Sequence, residues 1–224
     1  MSMLSNLELI RRVPLFSLLT ADQAESVAEA VSKRRFKRGE VVVAHGEKSN
    51  TLFIILTGRV RVVTSDKRGR EVILATLNPG DYIGEMSLID NEPHSATVRA
   101  EVQTDMLALG RAEFARCLPE NSSMAYGIMK GLVTRLRSAD RKIESLALMD
   151  VYGRVARALL EFAVPDREGN STIRDRVSRQ DLAKMVGASR EMVSRVMKDL
   201  EDRGFIETRE DGSMLVKDHL STLS

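Results

Sequence analysis

Residues 178–203 read SRQDLAKMVGASREMVSRVMKDLEDR, and this stretch determines the local architecture of the C-terminal third of the chain. Ser178, with Asp181 three residues later, forms a capping box with a shortened acid, so a helix is predicted to begin there. Gly187 ends that helix, and Ser189 caps a second one. The pattern therefore predicts two short helices joined by a glycine-containing turn.

The second of these helices has an apolar side and a polar side. The residues on the apolar side are Val193, Val196, Met197 and Leu200. Those on the polar side are Arg190, Glu191, Ser194 and Arg195. In a helix-turn-helix the N-terminal residues of the second helix reach base edges in the major groove, where arginine matches guanine and a carboxylate can accept from cytosine. A purely structural helical hairpin would tolerate the same charges, but the cap, turn and polar side together favour DNA reading.

A β-hairpin is predicted after this helix. Residues 204–207 (GFIE) and 214–217 (MLVK) are strand-like, and they are joined through Asp211-Gly212. This hairpin would be the wing of a winged helix-turn-helix, and we expect it to touch the phosphate backbone.

The N-terminal half shows short strands rich in Val, Ile and Thr, separated by glycine-containing turns. The predicted strands are 40–44, 51–56, 59–64, 71–77, 95–100 and 104–109. Regular spacing of this kind is typical of a sandwich or barrel.

From about Pro119 the sequence changes to a helical period. The apolar seam predicted along this helix comprises Ile128, Leu132, Leu136, Ala139, Ile143 and Leu146. The side predicted to face water carries Lys130, Arg135, Arg137, Asp140, Arg141 and Lys142. The seam can pack on its own strand domain or on a second copy. A helix of about 25 residues spans roughly 37 Å, longer than a small domain covers, so a parallel homodimer is favoured.

These patterns divide the chain into three parts within an α+β fold. Residues 1–118 are predicted to form the strand-rich domain, 119–148 a dimerisation helix, and 149–224 the winged helix-turn-helix domain. A further helix is expected at 151–163, followed by a surface loop at 164–176.

The composition limits the classes of function. The net charge is only +2, so affinity for nucleic acid must come from local clusters of Lys and Arg. One cysteine, Cys117, cannot hold an iron-sulfur cluster or a structural zinc, and the histidines His45, His94 and His219 are too dispersed for a short metal motif. We therefore expect no bound metal. The sequence shows no membrane span or secretory signal, which favours the cytoplasm.

The stretch from Ser178 to Arg195 closely resembles the helix-turn-helix of the CRP/FNR family. The resemblance implies that Arg190, Glu191 and Arg195 read bases, assisted by Ser178, Gln180, Ser189 and Ser194, in palindromic double-stranded DNA with TGTGA-like half-sites. It also implies a homodimer that works with RNA polymerase.

A second resemblance concerns residues 81–98, which are similar to the phosphate-binding cassette of cyclic-nucleotide-binding domains. This resemblance implies that residues 1–118 form an effector-sensing β-roll. The effector contacts that it implies are Gly84, Glu85, Met86, Ser87, His94, Ser95 and Ala96. In the family the glutamate holds the ribose hydroxyl, and backbone amides with an arginine hold the phosphate. His94 stands where nucleotide-binding members carry that arginine, and an imidazole is mostly neutral at pH 7.

The long helix departs from the family as well, because Ala139 and Asp140 stand where the cyclic-AMP-binding member carries Thr-Ser toward adenine. Arg137 and Arg141 are candidate contacts, with Asp140, for a larger anionic ligand. Cyclic di-GMP, which some members of the family use, is therefore slightly favoured over cyclic AMP and over no nucleotide.

These inferences predict a DNA-binding transcriptional regulator that is not an enzyme and is controlled by a small effector. One alternative is a cyclic-nucleotide-binding module that regulates a signalling enzyme, but it would leave the helix-turn-helix without a purpose. The other is a phosphodiester-cleaving enzyme using Glu85 and His94, but the sequence lacks the metal-ligand clusters that such hydrolysis usually needs.

Overall fold

The protein divides into two compact units, Met1–Leu136 and Arg137–Ser224. The structure, a computed structural model, describes residues 5–11, 13–17, 19–117, 122–165, 171–174, 177–209, 211–217 and 220. The predicted domain border at 118/119, the predicted helix start at Pro119 and His219 lie outside these residues. The division at 136/137 falls inside the long helix, so that helix contributes to both units.

The first unit is a roll of two antiparallel sheets with helices around it. Its helices are α1 (Asn6–Ile10), α2 (Ala21–Ala30), α3 (Glu85–Asp90), α4 (Arg111–Cys117) and the start of α5 (Ser122–Leu148). Its strands are β1 (Val31–Phe36), β2 (Val41–Val43), β3 (Thr51–Thr57), β4 (Val60–Ser65), β5 (Glu71–Leu77), β6 (Tyr82–Ile83), β7 (Thr97–Ala100) and β8 (Thr104–Gly110). The strand orders are β1-β8-β3-β6 and β2-β7-β4-β5. The predicted β-roll is confirmed.

Two strands and one helix of the roll escaped the sequence analysis. Strand β1 has the sequence VSKRRF, and after Val31 its side chains are exposed or half-buried, so no apolar alternation marked it. Its position depends on pairing with β8, where Val31 lies opposite Leu109. Strand β6 is only two residues long, and α4 is a short helix directly after β8.

Two apolar clusters stabilise the roll. One joins the two sheets through Val43 and Val98 of the second sheet and Ile55 and Met106 of the first. The other joins the first sheet to the helices. Its buried residues include Ile10, Val27, Leu52, Ile54, Leu107, Leu109, Met124 and Ile128. The first turns of α5 are therefore part of the core of the roll.

The second unit contains the end of α5 and a small domain of helices and one sheet. Its further elements are α6 (Val151–Phe162), β9 (Val164–Pro165), β10 (Ser171–Ile173), α7 (Arg179–Val186), α8 (Arg190–Asp202), β11 (Ile206–Thr208) and β12 (Met214–Val216). The sheet order is β11-β12-β10-β9. The predicted surface loop at 164–176 is therefore wrong in part, because β9 and β10 pair with each other and β10 also pairs with β12.

Helix α5 carries its apolar residues in two stripes rather than in one seam. Ile128 is buried in its own roll and Leu132 packs on the same cluster, so the alternative of packing on the strand domain holds for these two. Five of the exposed apolar residues form the other stripe, namely Tyr126, Met129, Val133, Leu136 and Ile143. Their spacing of three, four, three and seven residues is a heptad pattern. The predicted seam is thus corrected in its first half, and Leu136 and Ile143 remain within the exposed stripe.

The last predicted seam residues behave differently from one another. Ala139 is exposed. Leu146 is 56% exposed, and its side chain would lie 3.6 Å from a Cβ atom placed on Gly187. Leu146 therefore lies beside the turn between α7 and α8.

Close contact between α5 and the roll depends on Gly131. A methyl group on this residue would overlap the hydroxyl of Tyr82, which donates a 2.9 Å hydrogen bond to the carbonyl of Ile128. Burial raises the pKa of Tyr82 to about 12, so this hydroxyl keeps its proton at neutral pH.

Gly131→Ala is accordingly expected to destabilise the roll by about 1–3 kcal/mol, because the Tyr82 ring must shift and its hydrogen bond is lost. Denaturant unfolding measures the change. Tyr82→Phe should cost less free energy of unfolding in the Gly131→Ala background than in the wild type, because the overlapping hydroxyl is then already displaced. Equal costs in both backgrounds would contradict the contact.

Within the described ranges, no helix is long and apolar enough to cross a membrane. The same ranges hold no group of three or more His, Cys, Asp or Glu side chains placed to bind a metal ion.

Candidate functional site

The predicted effector cassette begins at Gly84, where the chain turns from β6 into α3. Gly84 has a φ of 95°, a left-handed conformation that glycine adopts without strain. A side chain there would also overlap the carbonyl of Thr51. Glycine is therefore needed both for the backbone conformation and for the close approach of the cassette to β3.

Glu85 is the first residue of α3, and its side chain is 2% exposed. Its Oε1 atom lies 2.6 Å from Nη1 of Arg135 on α5. Burial raises the pKa of Glu85, and the neighbouring Arg135 guanidinium opposes that rise. The carboxylate predicted to hold a ribose hydroxyl is thus already bound to a cation in this structure.

Arg135 also connects α5 to β6. Its guanidinium donates to the carbonyl of Tyr82 and lies 4.8 Å from the centre of that ring. The sequence analysis placed Arg135 on the water-facing side, and this is wrong. Arg135 follows Ile128 by seven residues, so it shares the face that packs on the roll, and that spacing could have identified it.

The three predicted effector contacts on the later part of α5 are placed otherwise. Arg137, Asp140 and Arg141 are exposed and belong to the second unit. Their role as effector contacts stays a prediction.

His94 is buried and tied to the turn that precedes β3. Its Nε2 atom lies 2.8 Å from the hydroxyl of Ser49, its backbone N–H donates to the carbonyl of Glu47, and its carbonyl accepts from Gly46. Burial lowers the pKa of His94, with the charge of Glu47 opposing. At neutral pH His94 therefore carries no positive charge to offer a phosphate.

The stability of the roll should depend on pH through His94. Since its pKa is lower in the folded chain than the ordinary 6.5, the unfolded chain binds this proton more tightly. The contribution of His94 is full above pH 6.5 and is lost progressively as the pH falls below that value toward the lowered pKa of the folded chain. His94→Asn should flatten the free energy of unfolding between about pH 7.5 and about pH 5.5.

His45→Gln is the control for this pH effect. His45 is exposed on the same turn, and its replacement tests whether the pH dependence belongs to His94 in particular. A wild-type protein whose free energy of unfolding does not fall down to about pH 5.5 would contradict the assignment to His94.

The remaining cassette residues divide by burial. Met86 and Ser95 are exposed, whereas Ser87 and Ala96 are buried. The Ser87 hydroxyl has no hydrogen-bond partner among the described residues. Buried hydroxyls are usually bonded, so Ser87 is a group that a ligand or an ordered water would satisfy.

The C-terminal unit contains the predicted helix pair. Ser178 accepts a 3.0 Å hydrogen bond from the backbone N–H of Asp181, and Gly187 ends α7 with a φ of 64°. Ser189 caps α8 by accepting from the N–H of Met192. Both serines thus serve as helix caps, and their contact with DNA stays a prediction.

Helix α8 separates its two sides as the sequence predicted. Its buried residues, Val193, Val196, Met197 and Leu200, belong to the core of the second unit together with Leu182 and Ala183 of α7. The residues left exposed include Arg190, Glu191, Ser194 and Arg195, and Gln180 is exposed on α7. The polar side of α8 is confirmed as a structural feature, while its contact with bases stays a prediction.

The polar side of α8 carries both negative and positive charge. The N–H of Glu191 itself and the Ser189 side chain lower the pKa of Glu191. Glu191 is therefore an ionised acceptor at neutral pH, beside two arginine donors on the same side of the helix. Such a set can distinguish guanine and cytosine edges.

The predicted wing is formed by β11 and β12. The two strands are antiparallel, with Ile206 opposite Val216 and Thr208 opposite Met214. Ile206 and Val216 are buried in the same core as α8, so the hairpin is attached to the recognition helix.

Known domain families match both halves of this architecture. Residues 33–121 match the cyclic nucleotide-binding domain, and residues 153–220 match the Crp-like helix-turn-helix domain. As a class, a chain with these two parts is a DNA-binding transcriptional regulator with a cyclic-nucleotide-binding domain.

Several relatives share both parts. The cAMP-activated global transcriptional regulator Vfr of Pseudomonas aeruginosa is 36% identical over 183 residues, which is 79% of this chain and 86% of Vfr. The cyclic AMP receptor protein of Thermus thermophilus is 31% identical, over 86% of this chain and 88% of that protein. The chain belongs to the CRP/FNR family of transcriptional regulators. These relatives are regulators and not enzymes.

A solved structure with the same fold is that of the c-di-GMP-responsive global regulator CLP of Xanthomonas campestris. It superposes with a TM-score of 0.75 at 28% identity, over 88% of this chain and 98% of CLP.

Proposed function

We propose that the protein acts as a homodimer whose two α8 helices read the half-sites of a palindromic duplex, under the control of a cyclic nucleotide bound in the roll. The observation that carries this proposal is the exposed side of α8, where Arg190, Glu191 and Arg195 stand on a helix whose other side is fully packed. TGTGA-like half-sites and RNA polymerase are the partners expected from the family resemblance.

The exposed stripe on α5 supports the homodimer. Tyr126, Met129, Val133 and Leu136 are each at least half exposed and follow a heptad spacing. A parallel copy of the same helix covers such a stripe along its whole length, whereas the roll already occupies the other apolar face. Two recognition helices held by one pair of α5 helices would enter successive major grooves about 34 Å apart.

The cassette supports an anionic ligand with a hydroxyl group. Glu85 can accept from the hydroxyl. Arg135, which contacts Glu85, would supply the guanidinium that the cassette lacks because His94 stands at the arginine position. Cyclic di-GMP is favoured slightly over cyclic AMP. The likeness to CLP agrees with the first ligand and the likeness to Vfr with the second.

The same contacts suggest how a ligand would act on DNA binding. A hydroxyl that binds Glu85 changes what Arg135 can bind, and Arg135 belongs to the helix that carries the dimer stripe. Ligand binding would then shift the population of α5 arrangements, toward or away from DNA binding.

Selection of bound duplexes from a random pool tests the DNA-reading part, with no nucleotide, with cyclic AMP and with cyclic di-GMP. We expect inverted repeats whose two halves are separated by one helical turn, and a change in recovery with one nucleotide. Recovery of single half-sites would contradict the dimer, and absence of any enriched sequence would contradict sequence-specific reading.

Calorimetric titration tests the effector part separately. Heat from cyclic di-GMP that is lost in Glu85→Gln would support the cassette as its site. Heat that persists in Glu85→Gln would place the ligand elsewhere.

A further inference from the structure

A second arginine holds the cassette helix from the end opposite Glu85. Arg111 is the first residue of α4, and its guanidinium lies at the C-terminal end of α3. Its Nη2 atom donates to the carbonyl of Ser87 at 2.8 Å, and its Nη1 atom donates to the carbonyl of Leu88 at 3.3 Å. These are two of the last carbonyls of α3, and that of Ser87 also accepts the backbone N–H of the capping residue Asn91 at 3.2 Å.

Arg111 is itself fixed by two asparagines. Its Nε atom donates to Oδ1 of Asn50 at 2.9 Å, and its backbone N–H donates to the carbonyl of the same residue at 2.8 Å. Nη2 also donates to Oδ1 of Asn91, the left-handed residue that ends α3 with a φ of 62°. One side chain therefore joins the start of β3, the start of α4 and the end of α3.

The physical need for such an anchor follows from the length of α3. A helix of six residues is marginal by itself, because it has few internal hydrogen bonds to offset the cost of ordering. A guanidinium at its C-terminal end adds hydrogen bonds to its last carbonyls and matches the negative end of the helix dipole.

The two arginines that contact α3 differ in what they bind. Arg135 binds the carboxylate of Glu85, the group that a ligand hydroxyl would claim. Arg111 binds backbone carbonyls and asparagine side chains, none of which is a predicted effector-binding side chain. A ligand can thus replace the first contact without disturbing the second.

We propose that Arg111 is a positioning residue for the effector site, and that it keeps α3 and Glu85 in place while Arg135 exchanges partners. This inference rests on the proposed function of the cassette. It assigns a role in ligand binding to a residue outside the cassette sequence.

The test compares Arg111→Gln and Arg111→Lys with the control Arg35→Gln in the full-length protein. Arg35 lies in the same roll and forms a bidentate pair with Asp105, but it has no bond to α3 among the described contacts. Titration with cyclic di-GMP and cyclic AMP measures ligand affinity, and hydrogen exchange of the ligand-free protein measures the protection of α3.

Arg111→Gln should lower the affinity for the nucleotide that the wild type binds by about tenfold or more, where tenfold corresponds to ~1.4 kcal/mol. It should also accelerate amide exchange in α3 while the exchange of β3 and β8 stays unchanged. Arg111→Lys keeps the charge and one carbonyl bond, so an intermediate affinity is expected. Arg35→Gln should leave both measurements unchanged.

The outcomes separate this inference from the proposed function. If the wild type binds a nucleotide and Arg111→Gln binds it equally well, the positioning role is wrong and the effector proposal stands. If the wild type binds neither nucleotide, the effector proposal fails. In that case unchanged exchange of α3 in both Arg111 variants would overturn the anchor as well, and faster exchange would support it.

Discussion

Arg190→Ala is expected to weaken binding to the selected duplex by about 1–3 kcal/mol, roughly 5- to 150-fold. Arg190 is the first residue of α8 and is exposed, and its guanidinium can donate two hydrogen bonds to one guanine. Loss of these bonds should relax the preference at a single base pair and leave the other positions unchanged. Quantitative binding to duplexes substituted at each position in turn measures both effects.

Arg38→Ala is the matched control, because it removes the same charge from an exposed turn of the roll. It should change affinity little and equally for every sequence. If Arg190→Ala also lowered affinity uniformly, with the salt dependence reduced by about one phosphate contact, Arg190 would be a backbone contact and not a base reader.

Leu136→Glu should dissociate the homodimer. Leu136 is 62% exposed in the single chain, and burial of a leucine contributes about 1.5–3 kcal/mol. A two-fold interface loses this contribution twice and must also bury two like charges, so the dimer dissociation constant should rise roughly 10²- to 10⁴-fold. Sedimentation at several protein concentrations measures it.

Ser138→Glu introduces the same charge on the same helix at an exposed position outside the stripe, and it should leave the dimer intact. Leu136→Glu should also lose affinity for every palindrome, because one monomer can contact only one half-site. A Leu136→Glu protein that remains dimeric at wild-type concentrations would show that the exposed stripe is not the interface.

The sequence predicted best where the determining interactions are local. Ser178, Gly187 and Ser189 mark helix ends by bonds to residues within four positions, and the structure has those caps. The alternation of packed and exposed residues on α8 also needs only the helical period. For the same reason most strands of the roll were found within one or two residues of their observed bounds.

Prediction failed where the partner is distant in sequence. Strand β1 is held by pairing with β8, some 70 residues away, as in the contact of Arg35 with Asp105. Arg135 was assigned to solvent because its partner Glu85 is 50 residues earlier. The predicted seam on α5 combines residues of two different stripes, because the helical period alone does not show which apolar face packs on the roll.

By itself the sequence predicted a strand-rich domain, a long helix and a helix-turn-helix, the cassette with its missing arginine, and the helix that presents Arg190, Glu191 and Arg195. Only the tertiary structure decided that Ile128 belongs to the core of the roll, that Glu85 is bound by Arg135, and that Arg111 anchors α3. The physical reason is that caps and helical periodicity depend on neighbours along the chain. Burial and ion pairing instead depend on groups that meet only after the sheets have formed.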